Sequence, residues 1–439
     1  MFRRLAIAVF GAAACASALP RGGADPAVDS AIDSPESVVD QGDQPVRIAL
    51  ATSSRAARVG GTESWRIYSR NSSNLVLSGR AGDSAVVEMR GRQLVALRSG
   101  GSATSRHQGP FIIRASPPGS FVRHAGKRYR GELIITPTDS GMVVVNRLAV
   151  ESYLRGVVPL EIGNRQPGEE AAVQAQAVAA RSYSYIHMNG TSGRPFDMYG
   201  SVQDQAYGGV DAEKPMSDAA VVATKGMVLR YAGRIVNTPY SSTCGGSTAA
   251  VQEVWWREPS QPYLMPVSDR IPGTDKSYCD PSPRFRWTTT FAKAELRATL
   301  EKYLERVSGG REMSVAPTTG GARAALGAVT SMRIDGRTAS DRAATLAIRA
   351  GNRDYVVRGN DIRFLLRTPT GTILNSTYVT AAETTTDGAG EVSSLTLRGG
   401  GYGHGIGMCQ WGAIGRARAG QDYRTILTTY YPGTTVGSI

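Results

Sequence analysis

The segment from Tyr153 to Tyr185 restricts the fold of this chain most, because it places a proline-containing turn directly before an alanine-rich stretch. Pro159 fixes its own φ angle and disfavours helical geometry at Val158. We therefore expect a first helix to stop before this proline, with Glu161 at the junction that follows.

A second helix is predicted after this junction. Pro167 is tolerated in the first turn of a helix, and the acidic side chains of Glu169 and Glu170 complement its N-terminal dipole. Small apolar residues and one glutamine then recur near the helical period. These residues are Ala172, Val173, Ala175, Gln176, Ala179 and Ala180. The pattern predicts a buried helix whose alanines allow close packing.

A glycine-rich signature lies near the end of the sequence, in the stretch GGGYGHGIGMCQWGAIGRARAGQDYRTILTTYYPG from Gly399 to Gly433. Its alternating glycines indicate close backbone approach or positive φ angles. Three shorter segments lie between the two signatures, and they are QAYGG at 205–209, STCGGST at 242–248 and EVWW at 253–256.

These segments together resemble the SpoIID/LytB family. The family pattern combines YL.GVVP.E, KAQAVAAR, a YGG motif, an STSGG-like motif followed by VW, and GWGHGVGMSQWGA with YYPG. The counterparts here are YLRGVVPLE at 153–161, VQAQAVAAR at 173–181, QAYGG, STCGGST with EVWW, and GYGHGIGMCQWGA at 401–413. Because all of them occur in the family's order, the combination is far more specific than any single motif.

The predicted fold class is α+β, because strand-like runs and separated helices do not alternate regularly. The resemblance implies a grooved SpoIID-type catalytic domain over residues 126–439. Short alternating runs punctuated by glycines predict a small β-rich domain over residues 46–125. Residues 19–45 are rich in Pro, Asp, Gly and Ser and are typical of a flexible linker.

Residues 1–18 are typical of a signal peptide. Arg3 and Arg4 precede a short apolar run, and small residues follow it. We expect export to the periplasm, the cell wall or the extracellular space. A lipoprotein anchored through Cys15 is the alternative. No stretch reaches the roughly 20 apolar residues that a transmembrane helix needs.

The chain is strongly basic. Removal of residues 1–18 takes two arginines and no acidic residue from a formal net charge of +13, which leaves +11. An anionic partner is indicated. An exported protein rarely meets nucleic acid, whereas peptidoglycan glycan strands carry lactyl carboxylates and fit this charge better. Solubility alone is the competing explanation.

The mature chain retains Cys244, Cys279 and Cys409. In an oxidising compartment we expect one disulfide, between Cys244 and Cys279, with Cys409 left over. The alternative is a zinc site that combines the three cysteines with His404, although no pair has the close C-x-x-C spacing. Apart from this ion, we expect no cofactor.

The resemblance implies a lytic transglycosylase that cleaves the bond between N-acetylmuramic acid and N-acetylglucosamine to 1,6-anhydro products. Glu161 matches the family's catalytic glutamate, and one carboxyl group with a raised pKa can serve as acid and then as base. The alternative is a wall-binding protein without catalysis, which enhances an N-acetylmuramoyl-L-alanine amidase as its partner.

Eight further residues of the matching segments are predicted to bind substrate, and for Gln176, Arg181, His404 and Gln410 an internal structural role is the alternative. They are Gln176, Arg181, Gln205, Tyr207, Ser242, Thr243, His404 and Gln410. Arg181, for example, is expected to end its helix and to hold an acidic sugar group or pair with a carboxylate. Its structural alternative is compensation of the dipole at the helix C-terminus.

Overall fold

A computed structural model describes residues 45–69, 74–98, 100–188, 193–308, 326–368 and 370–439. The predicted signal peptide lies outside these residues, as does the predicted linker apart from its last residue. Within the described ranges, no helix combines the length and apolar character needed to cross a membrane.

The first part of the chain forms strands. They are β1 Pro45–Ser54, β2 Ala56–Gly61, β3 Ser64–Ser69, β4 Asn74–Gly79, β5 Ser84–Arg90, β6 Gln93–Arg98, β7 His107–Gln108, β8 Phe111–Ser116, β9 Val122–His124, β10 Lys127–Tyr129, β11 Glu132–Thr138 and β12 Gly141–Ala149. β11 and β12 form the hairpin that leads into the first helix. The seven-stranded sheet includes the short β13, Met198–Tyr199, and has the order β13-β1-β12-β11-β8-β3-β4. The six-stranded sheet has the order β10-β9-β2-β5-β6-β7.

Helix α1 spans Val150–Ile162 and contains Pro159. The prediction of a helix stop before this proline is therefore wrong. Proline removes one backbone hydrogen bond, at a cost of roughly 3 kcal/mol, but apolar side chains on both sides of it are buried. These are Val150, Tyr153, Leu154, Val157, Val158 and Ile162. Tertiary packing thus outweighs the local preference. Glu161 lies in the last turn, which Gly163 ends with φ 76°.

Helix α2 spans Glu170–Met188, and its alanine face is buried as predicted. The start after Pro167 is confirmed within a few residues. The predicted end at Arg181 is wrong, because the helix continues beyond it to Met188. Arg181 therefore lies in the helix interior, where no C-terminal dipole is available.

The remaining elements alternate irregularly. They are a 3₁₀ turn at Gly209–Ala212, α3 Pro215–Ala223, β14 Met227–Tyr231, β15 Arg234–Ile235, β16 Tyr240–Ser241, α4 Val251–Val254, β17 Arg286–Ala292, α5 Lys293–Ser308, β18 Val329–Arg337, β19 Ala343–Ala350, β20 Arg353–Arg358, α6 Asp361–Leu365, β21 Val379–Thr386, β22 Val392–Gly400, β23 Met408–Cys409, α7 Gln410–Arg418, α8 Tyr423–Tyr430 and β24 Thr435–Ser438. The small sheets are β15-β14-β24, β17-β22-β21, β18-β19-β20 and the parallel pair β16-β23.

Two large hydrophobic cores and one small cluster, formed by Ala49, Val143, Val145 and Phe196, organise the described elements. The larger core packs α1, α2 and α7 against the strands of the first part of the chain. The second core lies among α5, α6 and strands β17 to β22. The α+β class is confirmed. Strands from both sides of residue 125 share the seven-stranded sheet, and the division of the chain into domains stays a prediction.

Candidate functional site

Glu161 occupies a largely desolvated position at the end of α1. Its Oε1 atom accepts a hydrogen bond from the backbone N–H of Ala206 at 2.7 Å. The side-chain amide of Gln410 also hydrogen-bonds this carboxyl group. Burial raises the pKa of Glu161 to about 7, although both hydrogen bonds act in the opposite direction. The group can therefore hold or release a proton near neutral pH.

Three tyrosines lie near enough to this carboxyl group to interact with its charge. Burial, with a further contribution from the charge of Glu161, raises the pKa of Tyr153, Tyr183 and Tyr240 well above 10. They remain protonated phenols in the physiological range. Tyr240, which stands two residues before Ser242 of the STCGG segment, was not predicted as a site residue. Its hydroxyl group accepts a hydrogen bond from Gln205 Nε2 at 2.9 Å.

Two further carboxylates in or next to the matching motifs, Asp204 and Glu253, have internal partners. Asp204 accepts hydrogen bonds from the Tyr183 hydroxyl at 2.9 Å and from the Tyr199 backbone N–H at 2.8 Å. Glu253 accepts hydrogen bonds from the backbone and the hydroxyl group of Ser340. Both are thus engaged in holding loops, whereas a glycoside hydrolase needs a second carboxyl group facing the same bond.

Gln176 and Gln410 connect three helices at the site. Gln410 Nε2, at the start of α7, donates to Gln176 Oε1 in α2 at 3.2 Å. The Gln410 side chain also interacts with the carboxyl group of Glu161, so the two glutamines link α2 and α7 to this acid. Gln176 is fully buried. Its predicted contact with substrate therefore finds less support than its alternative role as an internal amide.

Arg181 is fully buried in an ion pair. Its Nε and Nη2 atoms donate to the two carboxylate oxygens of Glu151 at 2.8 and 2.7 Å. Nη1 donates to the carbonyl oxygen of Met227 at 3.1 Å. Of its two expected roles, pairing with a carboxylate is the one that the geometry favours.

The side chains of Gln205 and Tyr207 are buried and hydrogen-bond other residues of the protein. The fully buried Gln205 accepts hydrogen bonds from Tyr153 and Ser184 and donates to the Ala180 carbonyl and Tyr240. The Tyr207 hydroxyl donates to Asn146 Oδ1 at 2.8 Å. Both side chains are therefore engaged internally, and their predicted contacts with glycan remain untested.

The predicted residues Ser242, Thr243 and His404 lie in two segments that contact each other beside the β16-β23 pair. The Ser242 carbonyl accepts a hydrogen bond from the Trp411 N–H at 3.0 Å, and Thr243 pairs with Tyr402. His404 Nδ1 accepts from the Ile406 N–H at 3.0 Å, which leaves Nε2–H to donate to the Tyr240 carbonyl at 2.8 Å. Burial lowers the pKa of His404 to about 3, so the ring is neutral and anchors the loop that carries Tyr240.

A basic and an aromatic side chain meet near the end of α1. The Arg165 guanidinium lies 5.5 Å from the ring centroid of Trp411, the residue after Gln410. Arg165 also lies against Gly163, at the end of the helix that carries Glu161. Arg165 was not predicted as a site residue, because it lies between two of the matching motifs.

The three cysteines meet in the interior as free thiols. Cys244 Sγ and Cys279 Sγ lie 3.7 Å apart, so the predicted disulfide is not formed in this structure. The alternative zinc site is also wrong in naming His404 as a ligand, because both ring nitrogens of His404 form hydrogen bonds with backbone groups. The fourth side chain at the thiols is Asp269, which lies outside every signature motif.

Residues 138–231 match the family described as Stage II sporulation protein, SpoIID, and residues 272–407 match a domain of unknown function, DUF8618. An uncharacterised protein of Brachyspira hyodysenteriae is 31% identical over 316 residues, which are 71% of this chain and 73% of that protein. The amidase enhancer of Bacillus subtilis is 33% identical over 65% of this chain, and the match spans 40% of the enhancer. Stage II sporulation protein D of Bacillus subtilis is 28% identical over 66% of this chain and 75% of that protein.

Proposed function

The chain belongs to the SpoIID family, and from this premise we propose that it is an exported lytic transglycosylase of bacterial peptidoglycan. Glu161 is its single acid and base. The observation that carries the proposal is the position of this carboxyl group, which is half-buried and contacts Ala206 and Gln410, with a pKa that burial raises to about 7.

The reaction needs two proton transfers, one from the enzyme to the leaving oxygen and one from the substrate hydroxyl to the enzyme. The protonated Glu161 gives its proton to the leaving glycosidic oxygen of N-acetylglucosamine as the bond to the muramyl anomeric carbon breaks. The resulting carboxylate accepts the proton of the muramyl 6-hydroxyl, whose oxygen bonds to that carbon. The product is a 1,6-anhydro ring, no water is consumed, and Glu161 ends protonated again.

Glycan strands without stem peptides are the proposed substrate. Each disaccharide of such a strand exposes a lactyl carboxylate, which suits the basic chain. Arg165 supplies a cation beside Trp411, whose aromatic face can pack against a sugar ring. Two depressions at the second core, lined by residues such as Arg297 and Arg337, contain no residue of the matching motifs. We therefore do not assign the substrate to them.

The test is digestion of peptide-free glycan strands by purified protein, followed by mass spectrometry of the products. We expect anhydromuramyl ends, lighter by one water than hydrolytic ends. The Glu161→Gln variant should form none of them, whereas Glu170→Gln, which changes an exposed acid nearby, should retain activity. Full cleavage by Glu161→Gln would refute the role of Glu161.

Enhancement of an amidase is a second candidate function, favoured by the 33% identity with the amidase enhancer. In this case the same surface binds glycan without cleaving it and delivers the wall to a partner amidase. The same preparation separates the two functions. If neither the wild type nor Glu161→Gln cleaves glycan, yet both raise the rate of an added N-acetylmuramoyl-L-alanine amidase on whole walls, the enhancer function is correct.

A further inference from the structure

Four buried side chains converge at the centre of the molecule, where they bring three distant loops together. They are Cys244, Asp269, Cys279 and Cys409, each exposed by 1% or less. One ligand atom from each lies within 4.8 Å of all the others. Three soft thiol groups and one carboxylate are a donor set that suits a tetrahedral zinc ion.

The distances within this cluster match such an ion. Zn–S bonds of about 2.3 Å in a tetrahedron separate two sulfur ligands by about 3.8 Å. The Sγ atoms of Cys244 and Cys279 are 3.7 Å apart, and Cys244 Sγ is 3.8 Å from Asp269 Oδ2. A covalent disulfide requires about 2.0 Å between the sulfur atoms, so the spacing favours a shared ion over a bond.

Neighbouring groups orient the ligands as outer partners do in metal sites. The Tyr430 hydroxyl donates to Asp269 Oδ1 at 2.6 Å, and Arg416 Nη2 lies 3.3 Å from the same oxygen. Oδ2 is thereby directed toward the sulfur atoms. Two backbone N–H groups, of Cys244 and Gly412, donate to Cys409 Sγ at 3.2 and 3.3 Å. Such donors stabilise a thiolate, the form that binds metal.

Charge and space are also consistent with a bound dication. Three thiolates and a carboxylate carry four negative charges, which Zn²⁺ and the guanidinium groups of Arg416 and Arg342 balance. Arg342 is buried with Nη2 3.3 Å from the Cys244 carbonyl oxygen. A side chain at Gly412 would collide with Tyr430 and Asp269, so only glycine allows α7 to approach this closely.

We propose that Cys244, Asp269, Cys279 and Cys409 bind one structural Zn²⁺ ion, which fastens the start of α7 to the STCGG loop and thereby positions Gln410 against Glu161. Four protein ligands leave no open coordination position, which is typical of a structural site and not of a catalytic one. Gln410 directly follows Cys409, so the ion acts on the active site through the backbone. The ion itself takes no part in the reaction.

The test is elemental analysis of the mature chain purified from the periplasm without chelators. We expect about one zinc per chain and three thiols that react only after the protein is unfolded or treated with a chelator. The metal-depleted protein should bind Co²⁺ with the intense near-ultraviolet bands of cobalt–thiolate bonds, and its melting temperature should rise again when Zn²⁺ is restored.

Variants assign the ligands. Cys409→Ser and the milder Asp269→Asn should lower zinc content, whereas Asp275→Asn, an exposed acid on the same loop, should not. Wild-type protein that contains no metal would overturn the proposal, whether its thiols are free or Cys244 and Cys279 form a disulfide in peptide mapping. Because metal content is measured without substrate, this outcome is independent of whether the chain cleaves glycan.

Discussion

The side-chain amide of Gln410 hydrogen-bonds the carboxyl group of Glu161 and joins the last signature of the chain to the first. Gln410 is held in turn by Gln176, so that α1, α2 and α7 meet at one acid. This contact stabilises the charged form of Glu161 and keeps its pKa from rising further.

Replacement of Gln410 by leucine should therefore raise the pKa of Glu161 above about 7. A hydrogen bond to a charged group contributes roughly 1.5–3 kcal/mol, which corresponds to a shift of about one pKa unit or more. We expect a lower kcat and an alkaline limb of kcat/KM displaced to higher pH. Gln166→Leu, an exposed glutamine, is the control. An unchanged pH profile would show that the contact does not tune the acid.

Glycan cleavage by the wild type should decline as the pH rises through about 7, because the first step needs the protonated form of Glu161. The measurement is the rate of anhydromuramyl product formation across the pH range at fixed ionic strength. A rate that keeps increasing well into the alkaline range would place the essential acid elsewhere.

The raised pKa of Glu161 also affects stability. Between about 4.5 and 7 the folded protein retains a proton that the unfolded chain has released. The free energy of unfolding therefore falls as the pH rises through this window. Glu161→Gln should be more stable than the wild type above pH 7, by up to about 3 kcal/mol, and equal to it in acid. Urea unfolding at both pH values tests this, and equal stability throughout would contradict burial of the charge.

The sequence predicted the site through local signals and missed what depends on contacts between distant segments. The match of Glu161 to a family motif and the alanine face of α2 could be read directly. The predicted helix end before Pro159 is wrong because burial of its neighbours outweighs the local preference of proline. Asp269 could not be found, since no spacing rule links one aspartate to cysteines that lie far apart in the chain.

Arg165 should contribute to binding of carboxylate-bearing glycan. Arg165→Gln removes the cation beside Trp411, so we expect KM for strands with intact lactyl groups to increase several-fold while kcat changes little. Arg55→Gln removes the same charge at an exposed position of the first part of the chain and serves as the control. If both variants raise KM equally, the effect comes from overall charge and not from a contact at the site.

The buried pair of Arg181 and Glu151 should determine stability and not substrate affinity. Arg181→Met leaves the Glu151 carboxylate without its bidentate partner, and loss of one member of such a pair costs about 3–5 kcal/mol. The double variant Arg181→Met, Glu151→Gln should recover much of this loss, because no charge remains unpaired. Denaturant unfolding of both variants and of the wild type measures the effect. If Arg181 binds an acidic sugar group instead, KM will rise in both variants with little change in the free energy of unfolding.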